Sequence, residues 1–222
     1  MADQLTFELS YQAGIHVQDF LTTPSNELAW KTINQWPEWK NKIVILHGPQ
    51  FCGKTHLLTL WCEKSKAMLL STNDLLSERV DDLINKMPKS LALDDLEEIY
   101  GDPIREEALF HLLNAVRHKE RNLLIAAKDM PSDTVIKDVR SRLQAAHIVQ
   151  INQPDDALLS GLYLKHFHDR QLTIDPDALN YLILRSDRSY ETILSNVQKI
   201  DQESLKAKRR LTLPFIKEVL HL

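Results

Sequence analysis

The chain has 222 residues and a formal net charge of −4, with 43% hydrophobic and 26% charged residues. These proportions are typical of a globular protein and exclude an intrinsically disordered chain. The two cysteines, Cys52 and Cys62, are too few for a disulfide framework and indicate a reducing, cytoplasmic environment. The sequence has no signal peptide and no apolar run near the roughly 18 residues of a membrane helix, so we expect no membrane association.

Short apolar runs alternate with amphipathic helical patterns through the first two thirds of the chain. Strands are predicted at 42–48, 67–70, 91–95, 122–127 and 147–151. Helices are predicted from Ser25 or Asn26 to Pro37, and at 54–64, 74–87, 104–116 and 133–143. Five strands separated by helices predict an α/β fold with a parallel sheet that is covered on both faces.

The strand pattern ends at Pro154. The segments that follow have helical spacing only, at 155–167, 176–186, 189–208 and 213–222. We therefore expect an α/β domain over residues 16–153 and a helical domain over residues 154–222, preceded by a tail at 1–15.

A phosphate-binding motif follows the first predicted strand. The sequence G-P-Q-F-C-G-K-T fits the P-loop (Walker A) pattern G-x-x-x-x-G-K-[ST]. Backbone N–H groups of such a loop surround phosphate oxygens, and the lysine adds a positive charge at the N-terminus of a helix. The candidate nucleotide-contacting residues are Gly48, Pro49, Gln50, Phe51, Cys52, Gly53, Lys54, Thr55 and His56.

Two acidic residues close the third predicted strand. Asp94 and Asp95 end the run 91–95. A carboxylate at the end of a buried strand can hold Mg²⁺ through water, and we assign this role to Asp94, with Thr55 offering its hydroxyl to the same ion. Asp95 is a candidate catalytic residue that polarises an attacking water. The alternative for this pair is a helix N-cap.

Three other segments carry a family resemblance. Phe20 and Leu21 lie in D-F-L, which is similar to the segment that borders the adenine in AAA+ proteins. Arg142, in D-V-R-S-R-L, is similar to the arginine finger of that family, and the closing K-R-R-L-T-L-P-F-I-K-E-V-L resembles the end of the Hda lid. The chain as a whole resembles the AAA+ family, and within it the Hda family of shorter relatives of the bacterial initiator DnaA.

The resemblance implies an AAA+ sheet followed by a helical lid, with ADP or ATP and Mg²⁺ as cofactors. It also implies a cytoplasmic regulator that binds the DNA-loaded sliding clamp and promotes hydrolysis of DnaA-bound ATP, which restrains re-initiation of chromosome replication. Arg142 would act in trans as the arginine finger; its ordinary alternative is an exposed arginine that pairs with an acid. Contact with DNA would be indirect, through the clamp, and the family allows a homo-oligomer.

The N-terminal hexapeptide Q-L-T-F-E-L resembles the clamp-binding peptide of Hda and of polymerase subunits. An extended peptide can place Gln4 at a polar spot of the sliding clamp, the β subunit of DNA polymerase III. The apolar side chains of Leu5, Phe7 and Leu9 would then enter its pockets. The alternative is an edge strand, which has the same alternation. Since the printed sequence ends after the predicted lid, we also expect no origin recognition of the DnaA kind.

Two positions depart from the family pattern. Ala126 and Ala127, followed by Lys128, occupy the end of the fourth strand, where AAA+ proteins usually place a polar sensor residue. Glu191 aligns with the lid arginine that faces the phosphates. We therefore expect weak intrinsic ATPase activity at most. The alternatives are an autonomous AAA+ ATPase such as a helicase loader, a small-molecule kinase, and a binding protein with a vestigial P-loop.

Overall fold

Five short strands form one sheet in the computed structural model, which describes residues 20–75, 77–130 and 134–221. The strands are β1 (Ile43–His47), β2 (Met68–Leu70), β3 (Ser90–Leu93), β4 (Asn122–Ala127) and β5 (His147–Gln150). Their order across the sheet is β2-β3-β4-β1-β5, and every neighbouring pair is parallel. The prediction of a five-stranded parallel sheet is confirmed, and the carboxyl ends of its strands meet at one edge.

The central strands β1, β3 and β4 are buried along almost their whole length because helices cover both faces of the sheet, whereas the edge strands β2 and β5 are mostly exposed. In β1, Ile43 and Ile45 belong to one buried cluster, whereas Val44 and Leu46 belong to another. The second cluster also holds the tryptophans: Trp39 and Trp61 are buried in it and their rings stack at 5.1 Å. Trp30 and Trp36 pack against the same cluster, so the tryptophans lie on the side of β1 that carries Val44 and Leu46.

Helices cover both faces and continue into the C-terminal part. Those of the α/β part are α1 (Glu27–Asn34), α2 (Lys54–Ser65), α3 (Ser77–Asn85), α4 (Pro103–His118) and α5 (Lys137–Gln144). Those that follow the sheet are α6 (Asp156–Asp169), α7 (Pro176–Arg185), α8 (Tyr190–Ala207) and α9 (Leu213–Leu220). None of the helices in the described ranges is both long and apolar enough to cross a bilayer.

Two predicted helices begin later in the structure than the sequence pattern indicated. The helix expected at 74–87 is divided into a 3-10 turn at Thr72–Leu75 and α3. The helix expected from 133 begins at Lys137. There the backbone N–H groups of Val135 and Ile136 donate to the buried carboxylate of Glu106, at 3.1 and 2.7 Å, and the residues stay outside the helical turn.

The helices α6 to α9, called the lid below, have a hydrophobic cluster of their own. The first of them is hydrogen-bonded at its start to the segment that precedes α1. Asp155 caps α6 by accepting from the N–H of Leu158 at 2.8 Å, and its second oxygen accepts from the N–H of Ser25 at 3.3 Å. Leu158 and Tyr190 pack into the cluster under β1. The lid therefore lies beside the carboxyl edge of the sheet.

Candidate functional site

The loop between β1 and α2 has the backbone that phosphate binding requires. Gly53 is the N-cap of α2 and has a left-handed conformation with φ of 91°. A side chain at this position would also meet the ring of Phe20, because an added Cβ would lie 3.2 Å from its Cε2. Phe51 has φ of 63°, an uncommon conformation for a bulky residue, and its ring is exposed. The helix N-terminus therefore opens toward solvent with its N–H groups free of side-chain caps.

The lysine of the motif lies folded against its own loop. The ammonium of Lys54 donates to the carbonyl oxygens of Gly48 at 2.9 Å and Pro49 at 2.8 Å. Its side chain is buried, so the charge is held at the centre of the loop. An anion bound to the loop would meet this cation together with the N-terminal amides of α2.

Gly48 and Cys52 form the buried base of the loop. An added Cβ at Gly48 would lie 2.7 Å from the carbonyl oxygen of Ile151, so only glycine fits there without a shift of the backbone. Cys52 is 3% exposed, and burial raises the pKa of its thiol above the ordinary value even though Lys54 lies near it. Cys52 is therefore a packing residue and not a nucleophile.

A cavity of about 620 Å³ lies in front of this loop. The loop and α2 contribute Gln50, Phe51, Gly53, Lys54 and Thr55 to its wall; the edge of the sheet contributes Asp95, Glu97 and Lys128; and the lid contributes Leu162, His166, Tyr190, Ile193 and Leu194. The lid part of this main cavity is thus mostly apolar, and the part on the sheet is charged. Burial and the nearby Arg170 lower the pKa of His166, which favours its neutral form at pH 7.

Only some of the acidic residues after β3 line the cavity. Asp95 and Glu97 line it, and the predicted metal residue Asp94 is half-buried beside them, with Oδ1 accepting from the N–H of Asp95 at 3.0 Å. Burial and the charges of Asp94 and Glu97 raise the pKa of Asp95. Asp95 also precedes a 3-10 turn as its N-cap residue. Its side chain makes no capping hydrogen bond there, so the helix-cap alternative is not observed.

The described residues include no group of three or more His, Cys, Asp or Glu side chains that could hold a metal ion by themselves. Mg²⁺ in nucleotide sites is commonly held by one or two protein oxygens together with phosphates and water. Thr55 and Asp95 at the cavity wall, with Asp94 bonded to the backbone of Asp95, fit such a shared site.

The residues expected at the adenine lie behind the loop. Phe20 stacks on Trp30 at 5.4 Å and meets His56 edge-on at 5.7 Å. Leu21 packs against Gly161 of α6, where an added Cβ would lie 2.9 Å from Leu21 Cδ1. Phe20, Leu21 and His56 therefore connect α1, α2 and the lid next to the phosphate loop.

Arg142 lies away from the cavity, on α5. Its guanidinium is 4.8 Å from the centre of the Phe110 ring of α4, in a cation–π contact. The side chain is half-buried, and its Nε is a buried donor without a hydrogen-bond partner in the described ranges. The arginine thus belongs to a surface formed by α4 and α5, separate from the phosphate loop of its own chain.

A second, adjoining cavity of about 410 Å³ lies against the other side of the phosphate loop. Glu191, which aligns with the lid arginine of the family, lines this adjoining cavity together with Gln150 and Gln153. Gln50, Lys128 and Tyr190 line both cavities.

Some predicted residues cannot be placed, and others were missed. The clamp-binding candidates Gln4, Leu5, Phe7 and Leu9 lie outside the described residues. The sequence motifs did not identify Glu97 or the lid residues at the cavity. The helical spacing of the sequence predicts the helices that carry the lid residues. Only the packing of the lid against the sheet brings these residues to the phosphate loop.

Two family models cover the chain. Residues 12–150 match the bacterial DnaA ATPase domain. The chain belongs to the bacterial DnaA ATPase domain family. Residues 159–220 match the lid domain of Hda, so the chain is an Hda-like member of this DnaA-related AAA+ group, as the sequence analysis expected.

This Hda-like chain is also similar to other proteins over most of its length. An uncharacterised protein of Haemophilus influenzae is 29% identical over 199 residues, which is 82% of this chain and 83% of the relative. Domain III of the replication initiation protein DnaA from Thermotoga maritima has a TM-score of 0.75 at 17% identity, covering 93% of this chain and 95% of that one. AMPPCP-bound DnaA from Aquifex aeolicus has a TM-score of 0.67 at 18% identity, covering 86% of this chain and 68% of that one. The two structures show the AAA+ fold.

Proposed function

We propose that this Hda-like chain binds ADP or ATP with Mg²⁺ in the main cavity and acts as a regulator of DnaA. The observation that carries the nucleotide site is the phosphate loop itself, with left-handed Gly53 at the start of α2 and buried Lys54 at its centre. The AMPPCP bound in the Aquifex aeolicus DnaA structure supports an adenine nucleotide as the ligand.

Each wall of the main cavity then has a role. The amides at the start of α2 and the Lys54 ammonium would bind the phosphates, and Thr55 and Asp94 would hold Mg²⁺, which neutralises phosphate charge when bound. Apolar lid residues such as Leu162 and Ile193 would exclude water from the bound nucleotide. Asp95, which lines the cavity and whose pKa is raised, would accept a proton from water.

Arg142 would act on a different nucleotide, the ATP held by DnaA. Its guanidinium lies on the α4–α5 surface and not at its own loop, which supports a contact with a neighbouring subunit. An arginine supplied in trans stabilises the charge that develops during phosphoryl transfer and can accelerate hydrolysis by about 10³–10⁵. Gln4, Leu5, Phe7 and Leu9 would recruit the chain to the clamp on DNA, where DnaA would meet it.

The test is hydrolysis of DnaA-bound ATP in the presence of clamp-loaded DNA. We expect the parent chain to stimulate it and Arg142→Ala to lose at least nine tenths of the stimulation, because the transition-state charge is no longer neutralised. Arg140→Ala is the matched control, since Arg140 is an exposed arginine of the same helix. Equal stimulation by parent and Arg142→Ala would show that the finger assignment is wrong.

Recruitment is tested separately by pull-down with the sliding clamp. The double substitution Gln4→Ala and Leu5→Ala should abolish capture of the chain, because both the polar and the first apolar contact of the peptide are removed. Undiminished capture would contradict the clamp assignment. Rapid ATP turnover by the isolated chain, without DnaA, would favour an autonomous ATPase instead.

A further inference from the structure

We propose that the amino edge of the sheet, at the opposite end of the strands from the phosphate loop, binds the backbone of duplex DNA. The residue immediately before each of three neighbouring strands is a cation: Lys89 before β3, Arg121 before β4 and Lys42 before β1. Because these strands are parallel, their amino ends meet at one edge. The proposed regulation of DnaA needs DNA only as the support of the clamp, so a direct contact goes beyond it.

The backbone holds these three cations side by side. The N–H of Asn122 donates to the carbonyl oxygen of Lys89 at 3.0 Å, and the N–H of Leu123 donates to that of Lys42 at 2.8 Å. Neighbouring strands lie about 5 Å apart, so the row spans about 10 Å across the edge of the sheet. The side chains therefore start from fixed points, and little backbone order has to be gained when a polyanion binds.

Two more lysines lie at the same edge, where α3 and α4 end. Lys119 follows α4, and its ammonium donates to the carbonyl oxygen of Ile84, near the end of α3, at 2.6 Å. Lys86 is the first residue after α3 and is exposed. The amino-edge cluster thus consists of Lys42, Lys86, Lys89, Lys119 and Arg121.

The amino-edge cluster is a local excess of positive charge on a chain whose net charge is −4. Segments 40–42, 86–89 and 117–122 together carry seven lysines and arginines and a single acid, Glu120. Among the side chains that the structure describes, none forms a salt bridge with a member of the cluster. The ordinary alternative is a set of solvated lysines. A row of uncompensated cations across three strands favours a polyanionic partner.

Another basic run of the chain lies at the end of α8, and its charges are partly compensated. Lys206 pairs with Glu203 at 2.7 Å, and Arg209 pairs with Glu218 at 2.8 Å. An anion at this run would have to compete with two carboxylates. The amino edge is therefore the better match for a polyanion, and the run on the lid serves as its comparison.

The side chains of the amino edge suit a phosphate backbone. Duplex DNA carries one negative charge per about 1.7 Å of its axis, so several phosphates can face a row of this length. Segments 40–42, 86–89 and 117–122 contain no Phe, Tyr or Trp on which the bases of a single strand could stack. Their large apolar residue, Met87, is buried and could not enter a lipid layer. We therefore expect contact with duplex phosphates and no preference for sequence.

The experiment is a fluorescence anisotropy titration of a labelled DNA duplex with the full chain at several salt concentrations. We expect a dissociation constant of about 10⁻⁴–10⁻⁶ M at physiological salt, and weaker binding as salt rises. Replacing Lys42, Lys86 and Lys89 together by Gln should weaken binding at least about tenfold at low salt. It should also make the slope of log K against log salt shallower by about 3. Replacing the same residues by Arg should keep binding within about threefold of the parent.

The matched control removes the same charge from the lid. Lys206, Lys208 and Arg210 are exposed, and their joint replacement by Gln should leave DNA binding within about threefold of the parent. A larger loss in this control than in the amino-edge Gln variant would overturn the choice of surface. Equal losses in the Gln and Arg variants of the amino edge would overturn the role of charge. Thermal unfolding of each variant checks that it is folded.

The remaining outcomes concern the partner. A parent chain that does not bind the duplex at low salt would overturn the proposal, as would binding to phosphatidylserine vesicles that is as tight as binding to DNA. The amino-edge Gln variant should still bind ADP and still be captured by the sliding clamp, because the cluster shares no residue with either site. Failure of the DNA contact would therefore leave the proposed function intact.

Discussion

The buried carboxylate of Glu106 offers a sharp test of how the Arg142 surface is held together. Glu106, on α4, is fully buried and joins three points of the chain. Its Oε1 accepts from the N–H groups of Gly101 at 2.9 Å and Val135 at 3.1 Å, and its Oε2 accepts from that of Ile136 at 2.7 Å. One side chain therefore fixes the entry to α4 and the entry to α5.

Glu106→Gln is the informative change because it preserves shape and removes one acceptor. In either orientation of the amide, its NH₂ group faces at least one backbone N–H, and that donor loses its partner. An unsatisfied buried group costs about 1–3 kcal/mol, and the remaining bonds are weakened because the acceptor is no longer charged. We expect the free energy of unfolding to fall by about 2 kcal/mol, which lowers the Tm of a domain this size by about 4–8 °C.

The assay is thermal unfolding followed by circular dichroism, with Glu107→Gln as the control. Glu107 is the next residue of α4 and is exposed, so its substitution should change the free energy of unfolding by less than about 0.5 kcal/mol. Amide hydrogen exchange should also accelerate in α5 for Glu106→Gln and not for Glu107→Gln. Equal stabilities of the two variants would show that the three hydrogen bonds of Glu106 contribute nothing measurable to the stability of the fold.

Three further predictions concern the loop and the lid. Gly48→Ala should lower the free energy of unfolding by about 1–3 kcal/mol, because its Cβ would lie 2.7 Å from the Ile151 carbonyl oxygen; an unchanged Tm would contradict this. Asp155→Ala should lower it by about 1–2 kcal/mol, because the cap of α6 and the bond to Ser25 are lost, and urea titration measures the change. The folded state keeps the pKa of His166 below its ordinary value, so the unfolded chain binds the proton more readily and stability is lost as the pH falls below about 6.5. His166→Gln should make Tm depend less on pH between 7 and 5, and an identical dependence would argue against this role.

Much of the fold follows from local pattern. The five strands lie within a residue or two of their predicted positions because they are short, mostly apolar runs that end at the loops. The phosphate loop was predictable because its geometry needs glycine at Gly48 and Gly53, and the chain has only five glycines. Helix starts were less predictable because they depend on distant partners, as the capture of Val135 and Ile136 by Glu106 demonstrates.

The composition of the cavity wall could not be predicted in the same way. Glu97 and Lys128 are far apart in sequence and meet only because β3 and β4 are neighbours in the sheet. Tyr190 and His166 reach the phosphate loop only because the lid packs beside the carboxyl edge. Local periodicity identifies the helices that carry these residues, whereas the pairing of strands and the docking of the lid decide which of their faces meets the cavity.

We propose above that this chain promotes the conversion of DnaA-bound ATP to ADP. The most direct test measures the ADP formed on DnaA in single-turnover reactions, with and without the chain and with the clamp loaded on DNA, omitted, or free in solution. We expect rapid ADP formation only when the chain and the DNA-loaded clamp are both present. ADP formation at the same rate with and without the chain would contradict the proposed regulation of DnaA.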